Sequence, residues 1–226
     1  MTTDASEPPA ARRGTLSKEK VARAAVAMAD ESGGTVPSTR KLAERLGVRA
    51  MALYHHFRNK DALLDGMVDL VFAEVELPAE GVDWQTAMRR RAASMRDALN
   101  RHPWAIALMD SRANPGPATL RHHDAVIGCL RSQGFTIAGV AHAFSLLDGY
   151  VYGFAIQEQA LPFDSTEDLQ EVAGPLTAPD LAEEFPHLAE MAVEHTLRPD
   201  YSYAEEFAIG LDLILDGLER RRDTWR

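Results

Sequence analysis

An all-α fold is predicted by three features of the sequence. Apolar residues recur at three- and four-residue intervals along most of the chain, the period of one helix face. Ser, Thr, Asn, Gly and Pro punctuate these stretches where helices start and stop. No set of segments shows the alternation of half-buried strands, and there is no internal repeat.

In chain order, residues 1–15 are a polar arm with Pro and Ala, expected to be disordered. Val21, Ala25, Met28 and Ala29 define the face of a first helix that Ser17 caps and Gly33-Gly34 end. Pro37 and Ser38 precede a short second helix, TRKLAERL, stopped by Gly47. A third, AMALYHHF, starts after only two more residues. Asn59 caps a fourth, KDALLDGMVDLVFAEV, with Leu63, Leu64, Met67, Leu70, Val71 and Val75 at apolar positions. Residues 77–81 read as a linker, dividing a unit at 16–76 from a second at 83–222. The second unit carries amphipathic stretches at 83–101, 103–111, 116–132, 136–159, 183–196 and 201–222. Residues 161–182, rich in Pro, Gly and acid, predict a long mobile loop.

Hydrophobic residues make up 46% of the chain and charged residues 26%, ordinary for a globular protein. No apolar run approaches the ~18–20 residues of a membrane span, and the N-terminus lacks the apolar core of a signal peptide. A cytoplasmic protein without a membrane partner is expected. The single cysteine, Cys129, excludes an internal disulfide and reads as a buried thiol. The net charge is −10, yet residues 1–60 hold eleven Lys or Arg against six Asp or Glu, leaving the remainder at −15. Such asymmetry suggests a basic module that meets an anion, attached to an acidic body. No Ser/His/Asp or Cys/His pattern and no Gly-rich phosphate loop supports an enzyme. His122-His123-Asp124 does not suit a metal, because adjacent helix positions point about 100° apart. Neither a metal nor another cofactor is expected.

Residues 38–60 read as two short helices about a Gly47-Val48 turn, a helix-turn-helix. Leu42, Ala43, Leu46, Val48 and Leu53 can fill the core beneath it. Ser38 and Thr39 open the first helix, whose free N–H groups can hold a phosphate, and Arg40 lies in the same turn. The outward side of the second helix reaches base edges in this motif. Here it carries Arg49, Ala50, Met51, Ala52, Tyr54 and His55. Arg49 is the best candidate for a guanine contact, and Ala50 and Ala52 can meet a thymine methyl. Tyr54, His56 and Lys60 are placed for backbone oxygens, which orient without reading sequence. Arg12 and Arg13 suit either a minor-groove arm or a solvated tail. Taken alone, the two-helix pattern also fits an ordinary surface hairpin.

TRKLAERLGV followed by ALYHHFRNKDALL closely resembles the DNA-binding signature of TetR-family transcriptional regulators, across about residues 16–76. LNRHPWAIALMDSR, RSQGF and LDGYVYGF are similar to the ligand domain of the tetracycline-repressor branch. The resemblance implies a one-component regulator: an N-terminal helix-turn-helix domain joined by a fourth helix to an α-helical ligand-binding and dimerisation domain. The implied partners are a palindromic double-stranded DNA operator, a second copy of the chain and a small-molecule effector, with repression as the family habit. It places Arg40, Arg49, Met51, Ala52, Tyr54, His55, His56 and Lys60 at the DNA. An all-helical enzyme and a non-specific DNA-binding protein are the alternatives.

Two long C-terminal helices carry apolar stripes, Phe144, Leu147, Val151 and Phe154 on one and Phe207, Leu211, Ile214 and Leu218 on the other. They suit either a subunit core or a twofold four-helix contact, and the resemblance points to the contact. Met88, Met95, Trp104, Met109, Leu120, His123, Phe144, Leu147 and Tyr152 suit either core or pocket lining, and the implied ligand domain points to a pocket. Met109 stands where the tetracycline-repressor branch has a drug-binding His. An apolar or amphiphilic effector is therefore expected in place of a magnesium-bound drug.

Overall fold

The computed structural model describes residues 16–109, 111–163 and 165–225, and its described elements are helical. The arm at 1–15, with Arg12 and Arg13, lies outside the described residues. Four helices come first: α1 (Lys18–Glu31), α2 (Thr39–Leu46), α3 (Ala50–Tyr54) and α4 (Lys60–Ala73). Then follow α5 (Trp84–Arg101), a 3-10 turn (Pro103–Ala105), α6 (Ile106–Met109), α7 (Pro117–Ser132) and α8 (Ile137–Gln159). After these come α9 (Thr166–Ala173), α10 (Pro179–Glu184), α11 (Pro186–Met191), a π turn (Ala192–Thr196) and α12 (Tyr203–Arg221).

The caps explain the boundaries. Ser17, Asn59, Asp83 and Thr136 each accept a hydrogen bond from the backbone N–H three residues on, satisfying an orphan donor of α1, α4, α5 and α8. Gly47 ends α2 in the left-handed region (φ 65°, ψ 34°), so the chain turns sharply into α3. Val21, Ala25, Leu42, Ala43 and Leu53 are buried between α1, α2 and α3, with Leu46 and Val48 packed against them.

Three expectations are corrected. Residues 161–182 contain α9, a 3-10 turn and part of α10 rather than a bare loop. Ser165 and Asp168 form a reciprocal capping box, while Pro175 and Pro179 occupy first-turn positions where a missing N–H costs little. The stretch 183–196 is broken, because Pro186 stops α10 and starts α11. The third helix ends at Tyr54, short of the expected AMALYHHF. Cys129 is half-buried, and burial raises its thiol pKa.

α4 lies between the two units. It packs on α1 at one side and on α5, α6 and above all α7 at the other. α5, α7, α8 and α12 form the core of the body, with Met88, Met95, Leu130, Leu147 and Leu215 fully buried. Among the described residues, no helix is long and apolar enough to cross a membrane.

Candidate functional site

The outer edge of the first unit is built by the turn at Gly47. Ser38 caps α2, its hydroxyl accepting from Lys41 N at 3.3 Å. Arg49 opens α3 without a side-chain cap bond. Ser38, Arg40, Arg49, Ala50, Met51, Tyr54, His55 and Lys60 are exposed, whereas Thr39, Ala52 and His56 are half-buried. Met51, at 70% exposure, is a large apolar side chain held in solvent. Arg40 is shared with Glu44 at 3.0 Å, but Arg49 and Lys60 have no ion pair among the described residues. Unpaired, exposed cations beside a solvent-held apolar side chain suit a groove lined by phosphates and base methyls.

Two sets of polar contacts tie this reader to the body. At the far end of α4, His102 Nδ1 lies 2.9 Å from Asp30 and its Nε2 lies 3.2 Å from Glu74. Trp104 Nε1 donates to Asp30 at 2.7 Å, so this expected pocket residue serves the junction. Burial works against the Glu74 carboxylate, but hydrogen bonds from Arg101 and His102 outweigh it and lower its pKa. Nearer the middle of α4, Asp69 caps α7 in trans, accepting from Thr119 N at 2.8 Å and Thr119 Oγ1 at 2.9 Å. A Cβ at Gly116 would overlap that carboxylate, so the close approach requires glycine. A carboxylate at a helix N-terminus is also favoured by the macrodipole.

Behind these ties lies a buried polar cluster that sequence reasoning missed. Arg91 on α5 is 1% exposed, His122 on α7 is fully buried, and Asp148 on α8 is 9% exposed. Arg91 Nη2 donates to Asp148, and Arg91 Nε donates to His122 Nε2 at 3.2 Å. Burial, together with the positive charge of Arg91 and the neighbouring His123, pushes the His122 pKa down to about 3. The ring is therefore neutral, and because Nε2 accepts, Nδ1 carries the proton. Both His122 Nδ1 and Arg91 Nη1 are buried without a hydrogen-bond partner. An unmatched buried donor costs about 1–3 kcal/mol. Aromatic rings surround the cluster: Phe72 of α4 lies 5.1 Å from His122 and 5.6 Å from His123, and His123 lies 5.2 Å from Phe144.

Of the expected pocket lining, Met88, Met95, Met109, Leu147 and Tyr152 are buried, while His123 and Phe144 are half-buried. Leu120 is 55% exposed and turns away from the core. The expected dimer stripe also changes. Leu147, Val151, Phe154, Phe207, Leu211 and Leu218 are buried in the chain's own core, with Phe144 and Ile214 half-buried. They face inward because α8 and α12 pack on each other and on α5. The outward faces instead hold Leu146, Ile156, Ile209 and Leu213, at 51%, 55%, 55% and 69% exposure. Gly149 and Gly153 sit on the same side of α8 with open space beyond them.

The profile described as bacterial regulatory proteins of the tetR family matches residues 21–67. A second, described as the tetracyclin repressor-like C-terminal domain, matches residues 77–222. The chain belongs to the TetR family. Its relatives include the HTH-type transcriptional repressor DrrR1 of Streptomyces coeruleorubidus, 33% identical over 91% of this chain and 78% of that protein. The class A tetracycline repressor of Escherichia coli is 32% identical over 92% of each chain. Among solved structures, the TetR-family protein ActR of Streptomyces coelicolor, in complex with actinorhodin, superposes with a TM-score of 0.76 and 27% identity. That match covers 93% of this chain and all of ActR. This TetR-family chain is thus a ligand-responsive, DNA-binding transcriptional repressor by family, with its basic reader at one end of α4 and a buried polar cluster beside the other face of that helix.

Proposed function

We propose that two copies of this chain hold a palindromic double-stranded DNA operator and release it when each body takes up a small amphiphilic molecule. In this reading residues 16–76 read DNA, and residues 83–222 carry the effector site and the subunit contact. Arg49 contacts a guanine, while Ala50, Met51 and Ala52 line the groove floor and Tyr54 and His55 reach its edge. Ser38, Thr39, Arg40, His56 and Lys60 take phosphates. Subunits meet through Leu146, Gly149, Gly153, Ile156, Ile209 and Leu213, where glycine permits close helix approach and apolar side chains meet their symmetry mates. Isologous pairing places two readers on one duplex, about one helical turn apart.

The observation that carries this reading is the position of α4. One end follows the helix-turn-helix directly, and Phe72, near the other, touches His122 and His123 in the body. An effector that binds one α4 position better than another shifts the spacing of the two readers by its differential affinity alone. Solved relatives in complex with small molecules, ActR with actinorhodin and a tetracycline repressor variant from Acinetobacter baumannii with minocycline, support a small-molecule effector. The −15 charge of the chain beyond residue 60 disfavours a non-specific DNA binder, since only the basic face can approach phosphates. Selection of bound fragments from random duplexes tests the proposal. The expected product is an inverted repeat bound with a steep salt dependence; recovery of unrelated sequences overturns it.

A further inference from the structure

His102 ends α5 and leads into the 3-10 turn, and its side chain is 9% exposed. Both ring nitrogens meet acids of the first unit. Nδ1 lies 2.9 Å from Asp30 in the last turn of α1, and Nε2 lies 3.2 Å from Glu74 at the end of α4. Each acid is already an acceptor: Asp30 Oδ1 takes the Trp104 indole N–H, and Glu74 Oε2 takes Arg101 Nη2 at 2.7 Å. Burial works against the Glu74 carboxylate, but hydrogen bonds from Arg101 and His102 outweigh it and lower its pKa, so that acid does not hold the proton. A neutral imidazole donates through one nitrogen and presents a lone pair at the other. The ring therefore satisfies both acids only as imidazolium.

The charges around the ring agree. Asp30 from α1 and Glu74 from α4 face it, and Arg101 from α5 offsets one of the two acids. Arg23 of α1, itself held by Glu19, lines with Asp30 and Glu74 a recess of about 270 Å³ alongside. A protonated His102 supplies the second cation, which the C-terminal dipole of α5 also favours. Both acids remain partly open to water, so a proton can come and go. We propose that the chain answers to pH as a second signal besides its effector: proton uptake by His102 clasps the ends of α1 and α4 to the body, and proton loss frees one of them. Whichever nitrogen keeps its proton, the other turns a lone pair on a carboxylate. The clasped form holds one proton more than the freed form, so it is favoured as the pH falls and lost as it rises. This assignment rests on the reading of residues 16–76 as the DNA reader. A freed reader has to be ordered again on the duplex, so operator affinity falls with rising pH.

Two measurements on the full-length protein test it between about pH 6 and pH 8, where histidines change charge. The first is the nitrogen-15 spectrum of the histidine rings, assigned by through-bond correlation to the backbone. Both His102 nitrogens are expected to carry protons at pH 6, and neutral ring should accumulate towards pH 8. The second is operator affinity at constant ionic strength. From pH 6 to pH 8 it should fall at least about fivefold more in the wild type than in Glu74→Gln, the low end of ordinary allosteric coupling. A glutamine amide can donate to a neutral Nε2 and still accept from Arg101, so that variant keeps the clasp at either pH. His55 and His56 of the reader titrate in both proteins and cancel in the comparison. A singly protonated ring at pH 6, a fully protonated ring at pH 8, equal pH dependence in the two proteins or a wild-type affinity that gains on the variant as pH rises overturns the assignment. The spectrum is read on the wild type and does not depend on the variant folding. Selection from random duplexes with the same preparation separates the two readings. If no operator emerges the regulator reading fails, while the ring spectrum alone still upholds or sinks the clasp.

Discussion

The reader at residues 38–60 and the cluster of Arg91, His122 and Asp148 handle polar groups in opposite ways. In the reader, Arg49 and Lys60 stand in water without an ion pair among the described residues, and nothing in the chain's own fold depends on their charge. In the body, Arg91 is enclosed, and its neighbours must supply every partner that water would have given. An exposed cation keeps its hydration until a phosphate or base replaces it, so it costs the free protein little. A buried one constrains the fold itself. The difference teaches which residues can be removed without structural consequence, and in which region a lost function is hard to tell from a lost fold.

The sharpest break of this contrast is Asp148→Leu. It strands a buried guanidinium and should destabilise the protein by about 3–5 kcal/mol in denaturant unfolding, with most of the loss recovered in Arg91→Met/Asp148→Leu. A loss below about 1 kcal/mol would mean that water reaches Arg91. Leu213→Asp on the exposed side of α12 should instead leave the unfolding curve unchanged, yet give a monomer by sedimentation and weaken operator binding at least about tenfold. A dimer that survives this change places the contact elsewhere. In the reader, Arg49→Ala should cost about 1–3 kcal/mol at one operator position and relax selectivity there. Lys60→Ala should weaken all sequences alike and, removing one phosphate contact from each of the two subunits, reduce the salt slope by about 1.8.

A gentler probe uses pH. Buried His122 stays neutral down to about pH 3, whereas in the unfolded chain it takes up a proton near its ordinary value of 6.5. Its contribution to stability is therefore complete above 6.5 and is lost as the pH falls towards 3. Between pH 6 and pH 5 the expected loss is about 1 kcal/mol, absent in His122→Gln, which keeps an acceptor without titrating. Equal pH dependence in both proteins would refute the enclosure of His122. The smallest effect should come from Gly47→Ala, about 1 kcal/mol from the left-handed turn, because no neighbouring atom lies near the added methyl.

How far each region could be read follows from how local it is. The turn at Gly47, the caps at Ser17, Ser38 and Asn59 and the exposed residues of α3 lie within a few residues of one another, and short-range rules reach them. The stripe on α8 was legible as apolar, but its direction was not. Period alone cannot say whether Leu147 and Val151 face the same chain or a second copy; packing against α5 and α12 turned them inward and left Leu146 and Ile156 outside. One signal of the cluster was present in the sequence. Arg91 and Asp148 each interrupt an apolar stripe, Arg91 between Met88 and Met95, Asp148 between Leu147 and Val151. A charge on a buried face requires a partner, which identifies the residues but not which helix supplies it. Residues 161–182 misled for the reverse reason, since Pro and acidic residues favour helix starts as well as loops.

The sequence by itself determined the helical class, the helix-turn-helix and the cations of its outer face, because each depends on backbone preference and on side chains close in the chain. Only the tertiary structure decided that Arg91, His122 and Asp148 meet, that Phe72 carries their contact to α4, and which faces of α8 and α12 stay open. Those outcomes depend on the mutual orientation of four helices, and orientation is fixed by the summed packing of the whole core rather than by any one segment.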